Sequence, residues 1–228
     1  MFEFLFLDLD DTILDFKMAE RTALTKTLQD LQISPTEEML SRYSEINAAQ
    51  WRLLENGEIT RREVKERRYQ LLFEEFGVYA DPVLTTAIYE KHLAVGHFFI
   101  DGAVELLGTL SRDYALCLAS NGTAAVQHGR IASAGIAPYF CDMFISQEIG
   151  ADKPSLQFFE TCFTKIPDFN KENTVMVGDS LTSDIRGGIG AGIKTVWFNP
   201  LHLPNITPYH PTATISHLSQ LYALFKTL

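Results

Sequence analysis

Cysteine, positive charge and long apolar runs are all scarce in this sequence, and each shortage removes a class of protein. The 228 residues hold three cysteines, Cys117, Cys141 and Cys162. An odd and widely spaced set supports neither a disulfide framework nor a zinc knuckle. Cys117 lies inside the apolar run Tyr114 to Ala119, which predicts a buried structural thiol and a reducing, cytoplasmic setting. No apolar stretch approaches the roughly 20 residues that cross a bilayer, and Met1-Phe2-Glu3-Phe4 carries no basic leader, so a soluble, unexported chain with no membrane partner is expected. Nineteen Lys and Arg stand against 29 Asp and Glu, a net charge of −10. That excess of acid argues against a nucleic acid polymer as partner and leaves small molecules open. There is no internal repeat and no low-complexity tract. With 46% apolar and 11% aromatic residues, a globular protein with a substantial core is expected.

What is present is a recurrent alternation. Phe4-Leu5-Phe6-Leu7 is a short apolar run stopped by acids, the pattern of a strand buried on both faces. Similar runs recur at 115–119, 143–145, 174–177 and 195–198. Helical patterns separate them at 102–111, at 123–134 closed by Gly135, at 155–165, and at 183–191 closed by Gly192. Strand alternating with helix predicts an α/β fold built on a Rossmann-like parallel sheet. Between the first strand and the rest, residues 14–98 hold no convincing strand. Ser34-Pro35-Thr36-Glu37 and Thr60-Arg61-Arg62-Glu63 both read as capping boxes, Pro35 and Pro82 suit first-turn positions, and Gly77 suits a helix end. The expectation is an α/β core of residues 1–13 and 99–228, interrupted by an all-helical cap of residues 14–98. Pro200 to Pro211 reads as a surface loop before a final helix at 216–227.

The polar residues at the strand ends carry the chemistry. Asp8-Leu9-Asp10-Asp11-Thr12 follows the first strand, at the carboxyl edge where open α/β sheets bind ligands. An acidic turn would have the same composition. Gly178-Asp179-Ser180-Leu181-Thr182-Ser183-Asp184 delivers further carboxylates to that edge; Asp184 also suits a helix's first turn. Ser120-Asn121-Gly122-Thr123 offers a hydroxyl and backbone N–H groups suited to an anion, or simply a cap and turn. Asp152-Lys153-Pro154 supplies a cation, although a lone loop lysine is commonly solvated. Taken together, four strand ends bring carboxylates, donors and one cation to one rim. Two like charges about 4 Å apart repel by roughly 4 kcal/mol at an effective dielectric near 20, so such a rim calls for a divalent cation. Oxygen ligands and an anion site favour Mg²⁺ over zinc.

In order and spacing these segments resemble the four signature motifs of the haloacid dehalogenase superfamily of phosphohydrolases, in the subfamily whose helical cap follows the first strand. Asp8, Asp10 and Thr12 match the first motif, Ser120 the second, Lys153 the third, and Gly178, Asp179 and Asp184 the fourth. The resemblance implies a phosphomonoester substrate and an aspartyl-phosphate intermediate on Asp8, with Asp10 as general acid and base. It also implies Mg²⁺ held by the Asp8 carboxylate, the Asp10 backbone carbonyl and Asp179, with Asp184 supporting from the outer shell through water. Thr12, Ser120, Asn121, Gly122 and Lys153 would bind the phosphoryl group. Asp11 falls between motif positions and receives no catalytic role. Dehalogenation is disfavoured, because that branch lacks an acid at the position of Asp10.

Substrate choice is expected in the cap, which carries 11 of the 19 basic residues. Asn47 through Trp51, Gly57-Glu58-Ile59-Thr60, Arg67 and Arg68 resemble the cap of 5′-nucleotidases acting on pyrimidine nucleoside monophosphates, including noncanonical ones. Asn47, Trp51 and Arg67 are accordingly candidate specificity residues. Trp51 would equally suit helix packing, and the basic run from Arg61 to Arg68 would equally suit a solvated face paired with Glu58, Glu63 and Glu66. Sugar-acid phosphatases of the N-acylneuraminate 9-phosphate type carry a similar motif set and stand as the alternative. Other phosphosugar phosphatases, a mutase and a catalytically silent phospholigand-binding protein also stay open.

Overall fold

The computed structural model describes residues 2–228. Strand β1 (Phe4–Leu7) is followed by four helices, α1 (Phe16–Asp30), α2 (Glu37–Glu55), α3 (Arg61–Phe76) and α4 (Pro82–Leu93). Then come α5 (Ala103–Leu110), β2 (Ala115–Ser120), α6 (Ala124–Ala134), β3 (Asp142–Ile145), a one-turn α7 (Ser146–Ile149) and α8 (Leu156–Lys165). The chain finishes with β4 (Thr174–Gly178), α9 (Arg186–Ala191), β5 (Lys194–Phe198), β6 (Ala213–Ile215) and α10 (Gln220–Leu224).

All six strands are parallel, in the order β3-β2-β1-β4-β5-β6. The run Phe4-Leu5-Phe6-Leu7 is apolar throughout because both faces of β1 are covered. Leu5 and Leu7 face a core completed by α5 and α10, whereas Phe4 and Phe6 face one completed by α8. Such burial is characteristic of parallel sheets, whose crossover helices cover both faces. The chain order reverses at β1, which lies between β2 and β4, and there the carboxyl ends open into the crevice where this architecture binds ligands.

Helices α1 to α4 pack around a separate apolar cluster containing Leu24, Leu28, Tyr43, Tyr69, Leu72 and Tyr89. Thr60 forms the expected capping box with Glu63, Pro82 opens α4, and Gly77 closes α3 at φ +64°, a left-handed turn that favours glycine. The other capping expectation is corrected. Thr36, not Ser34, caps α2 by accepting from Met39 N, and Pro35 lies before the helix rather than in its first turn. Near the end of the chain, 213–215 adds β6 to the sheet edge, and α10 covers only Gln220–Leu224 of the helix expected at 216–227. Cys117 is buried as expected, but Cys141, distant in sequence, comes to 3.5 Å from it, sulfur to sulfur. Among the described residues, no helix is long and apolar enough to cross a membrane.

Candidate active site

Strand register builds the site. Leu7 pairs with Leu118 on one side and Val177 on the other, so the residues that follow β1, β2 and β4 emerge side by side. The Asp8 amide donates to Val177 O at 2.9 Å, continuing the ladder to the first acid after β1. Asp8 is buried, and Thr12 Oγ1 donates to its Oδ2 at 3.4 Å. Lys153, 1% exposed, reaches in from the loop between α7 and α8. Its ammonium donates to Asp8 Oδ1 at 2.7 Å, Asp184 Oδ1 at 2.7 Å and the Ala119 carbonyl at 2.6 Å. All three ammonium protons are thereby used.

The loop that carries Lys153 is held by Asn121. Its Oδ1 accepts from Lys153 N at 2.8 Å, and its Nδ2 donates to Lys153 O at 2.7 Å. The side chain of Asn121 therefore positions the cation. Gly122 permits a close approach: a Cβ there would fall 2.3 Å from Gln127 Cγ. Ser120 Oγ accepts from Gln127 Nε2 at 2.7 Å.

Three carboxylates converge beside this lysine. One oxygen from each of Asp8, Asp179 and Asp184 lies within 4.8 Å of the others. Asp184 is carried on a π-type turn, Leu181–Ile185, a form of helix distortion frequent at functional sites. Its Oδ2 accepts from Ser180 N at 3.1 Å. Desolvation pushes the Asp8 carboxyl up to about 8; Lys153 opposes the rise, while Asp184 and Asp10 reinforce it. Burial, then Asp8 and Asp184, hold the Asp179 carboxyl well above its usual range. Burial alone would lower the Lys153 ammonium, yet Asp184 and Asp8 more than reverse this and raise it. The one ammonium pairs with two of the three acids, Asp8 and Asp184, and no cation of the chain pairs with Asp179 among the described residues. This set of hard oxygen donors, short of positive charge, fits Mg²⁺.

Asp10 lines the same rim but bonds to α6 rather than to the acidic cluster. Its carboxylate forms an ion pair with Arg130 and accepts from Gln127 Nε2 at 2.7 Å, both on α6. Sequence reasoning missed these two residues. A buried arginine has no signature in composition, although the three-residue spacing does put Gln127 and Arg130 on one helix face. Asp11, at φ +58°, accepts from Phe16 N at 2.9 Å and Lys17 N at 3.4 Å, anchoring the start of α1.

From this rim a cavity of about 440 Å³ runs beneath the four helices. Asp8, Asp10, Lys153 and Asp179 line one side; Trp51, Glu55, Arg68 and Tyr89 line the helical side. Trp51 therefore does reach the cavity, with the Arg61 guanidinium 5.5 Å from its ring centre. Asn47 and Arg67 are not among the lining residues. Asn47 is buried behind the wall, donating to Glu20 Oε1 at 2.7 Å and accepting from Arg68 Nη1 at 3.1 Å. Arg68, one helical step of about 100° beyond Arg67, is the arginine of α3 that turns inward. Arg61 was read only as part of a basic face, but it ties the helices to the core by donating to Gly122 O at 2.9 Å and Ser146 Oγ at 2.7 Å and by pairing with Asp152.

Fold and rim together define a hydrolase of the doubly wound α/β class, and comparison with known proteins places it further. The family model for haloacid dehalogenase-like hydrolases matches residues 3–192. The chain belongs to this family and is an enzyme, a phosphatase-type hydrolase. It is 40% identical to the HAD-hydrolase YfnB of Bacillus subtilis over 97% of this chain and 94% of that protein. The crystal structure of YfnB bound to magnesium superposes with a TM-score of 0.94 over 98% of both chains. Pyrimidine 5′-nucleotidase PynA of Streptococcus pneumoniae is 42% identical over 92% of this chain and 90% of its own. Pyrimidine 5′-nucleotidase YjjG of Escherichia coli is 29% identical over 97% of both. These similarities agree with the branch that the motifs and cap resemble.

Proposed function

We propose that this protein is a Mg²⁺-dependent phosphomonoester hydrolase that works through an aspartyl-phosphate on Asp8, with pyrimidine nucleoside 5′-monophosphates as its substrates. The observation that carries the reading is the Asp8 carboxylate at the sheet's switch point, one oxygen held by Lys153 and the others of its cluster supplied by Asp179 and Asp184. The 42% identity to a pyrimidine 5′-nucleotidase supports the nucleotide class. Asp8, Asp179 and the Asp10 backbone carbonyl would hold Mg²⁺, with Asp184 supporting from the outer shell, and the ion's charge would neutralise the phosphoryl oxygens and orient them. An Asp8 oxygen attacks phosphorus, the ester P–O bond breaks, and the leaving alkoxide takes a proton from Asp10, which enters this step protonated and released from Arg130. Asp10 then removes a proton from water, which attacks the aspartyl-phosphate and frees inorganic phosphate and Asp8. Lys153 offsets charge on Asp8 and the transferring group, while Thr12, Ser120 and the Asn121-Gly122 backbone present donors to its oxygens. Residues 14–98 act as a cap over a core of 1–13 and 99–228, closing the far end of the cavity and keeping water from the intermediate. A cytoplasmic setting suits such a substrate.

Phosphate release from UMP, dUMP, dTMP, phosphosugars and phosphoglycolate, with and without Mg²⁺, tests the reading. Release should be greatest on the nucleotides, should require the metal, and should vanish in Asp8→Asn. Undiminished activity in a clean Asp8→Asn preparation would overturn the mechanism.

A further inference from the structure

Two of the three thiols meet although 24 positions separate them along the chain. Strands β2 and β3 run parallel with Cys117 opposite Asp142, and the amide of Cys141, the residue before β3, donates to Leu116 O at 2.8 Å, which extends the pairing to Cys141. The crossover through α6 thus sets the two sulfurs 3.5 Å apart. Their surroundings differ. Cys117 is fully buried in the core cluster that contains Phe6, Phe144 and Phe158, whereas Cys141 is exposed at the start of the edge strand. The Cys141 thiol donates to Leu116 O at 3.1 Å, which leaves Cys117 as the donor between the two sulfurs. That hydrogen bond, helped by the amides of Cys141 and Asp142, pushes the Cys141 thiol down to about 7 against the opposing effect of burial. The same bond, with burial, raises the Cys117 thiol well above its usual value. Cys162, buried in the same cluster, is pushed up to about 12 by desolvation. Thiolate character and access together govern reactivity, and of the three thiols only Cys141 combines them.

We propose that Cys117 and Cys141 form an oxidation site that turns an encounter with hydrogen peroxide into a reversible disulfide, Cys141 attacking and Cys117 resolving. The Cys141 sulfur attacks one peroxide oxygen, a sulfur–oxygen bond forms as the O–O bond breaks, and the departing hydroxide leaves as water with the proton shed by the Cys141 thiol. The Cys117 sulfur then attacks the sulfenic sulfur, the sulfur–oxygen bond breaks, and hydroxide leaves with the Cys117 proton as a second water. Two thiols lose two electrons, and one peroxide gains them. A disulfide needs sulfurs that stand side by side, and the strand pairing already supplies this. Burial decides which oxidation product the fold accepts. A sulfinic acid on Cys117 would place an unpaired charge among phenylalanines, whereas the disulfide adds no charge to the core. Resolution by Cys117 also spares Cys141 from deeper oxidation. The pair thereby protects β2, the strand whose end delivers Ser120 and, just beyond it, Asn121 to the active-site rim.

Hydrogen peroxide in small molar excess over the reduced, folded protein, read by intact mass, tests the site. The parent should lose about 2 Da, the two thiol hydrogens, and dithiothreitol should restore the original mass. Peptide mapping should find Cys117 joined to Cys141, with Cys162 free. In Cys117→Ser the oxidation should stop on Cys141 as a sulfenic acid that dimedone captures, and longer exposure should carry it to a sulfinic acid that dithiothreitol no longer reverses. Cys141→Ser should react at least about tenfold more slowly at the same dose, and Cys162→Ala should behave as the parent does. The exposed Cys141→Ser substitution and the parent's own map carry the test even where a serine in the core at position 117 weakens the fold. In urea the preference should vanish, with all three pairings appearing. An unreactive parent, a link through Cys162, a disulfide between two chains, oxygen gained with no hydrogen lost, or equal rates for the parent and Cys141→Ser would each overturn the assignment. None of these readouts depends on phosphate release, so the site stands or falls apart from the phosphomonoesterase reading.

Discussion

Glu55 is a single residue whose surroundings set a measurable pH dependence. It stands at the end of α2 on the cavity wall, bonded to Thr182 Oγ1 at 3.3 Å. Desolvation, reinforced by Asp184, pushes its carboxyl from 4.5 up to about 7. Below about pH 4.5 both folded and unfolded chains hold this proton, and the residue costs nothing. As pH rises toward 7 the unfolded chain releases the proton first, so stability is lost across that window and the loss is complete above it. Glu55→Gln should therefore be more stable than the parent at pH 8 in chelator by about 2 kcal/mol, with the difference gone by pH 4. Urea unfolding at the two pH values measures this; a constant difference would mean that the carboxyl titrates normally. Asp8 and Lys153 were legible as chemical residues because their types and order carry information. Arg130 and Glu55 were not, because nothing in a charged residue's name reveals that the fold will draw it out of water.

At the scale of elements, the carboxyl end of β4 controls the geometry of the acidic cluster. Gly178 lies against Asp184 so closely that an added Cβ would fall 2.1 Å from Asp184 Oδ2. Asp184 would have to move, since the strand is fixed by pairing on both sides. Gly178→Ala should leave the fold intact but weaken Mg²⁺ binding by about 10- to 100-fold, the usual effect of disturbing a metal site's supporting geometry. The Mg²⁺ dependence of phosphate release reads this directly, and an unaltered half-saturation would separate Asp184 from the metal. Strands β1 to β5 were readable in advance because both faces are buried and the runs are continuously apolar. Strand β6 was not: Ala213-Thr214-Ile215 is three residues at a sheet edge, too short to show any period. The start of α2 was misread because Ser34 and Thr36 carry equivalent capping oxygens, and only the path of the chain decides which one meets the first free N–H.

For the whole molecule, the net charge of −10 has a local expression in buried acids that must be kept close together. A cation that binds the folded protein alone stabilises it by about 2.7 kcal/mol at a hundred times its dissociation constant. For a chain of this length that corresponds to a rise in melting temperature of roughly 5–10 °C on adding Mg²⁺ to chelated protein. A melting temperature indifferent to Mg²⁺ would remove the metal from the site. The sequence alone determined the parallel α/β architecture, because continuously apolar strands alternating with amphipathic helices are local patterns that survive without coordinates. Tertiary structure alone decided which side chains meet: that Asp10 pairs with Arg130, that Arg61 joins the helices to the core, and that Arg68 rather than Arg67 faces the cavity with Tyr89. Those pairings join residues far apart in the chain, and their partners follow from how helices pack on the sheet rather than from any spacing along it.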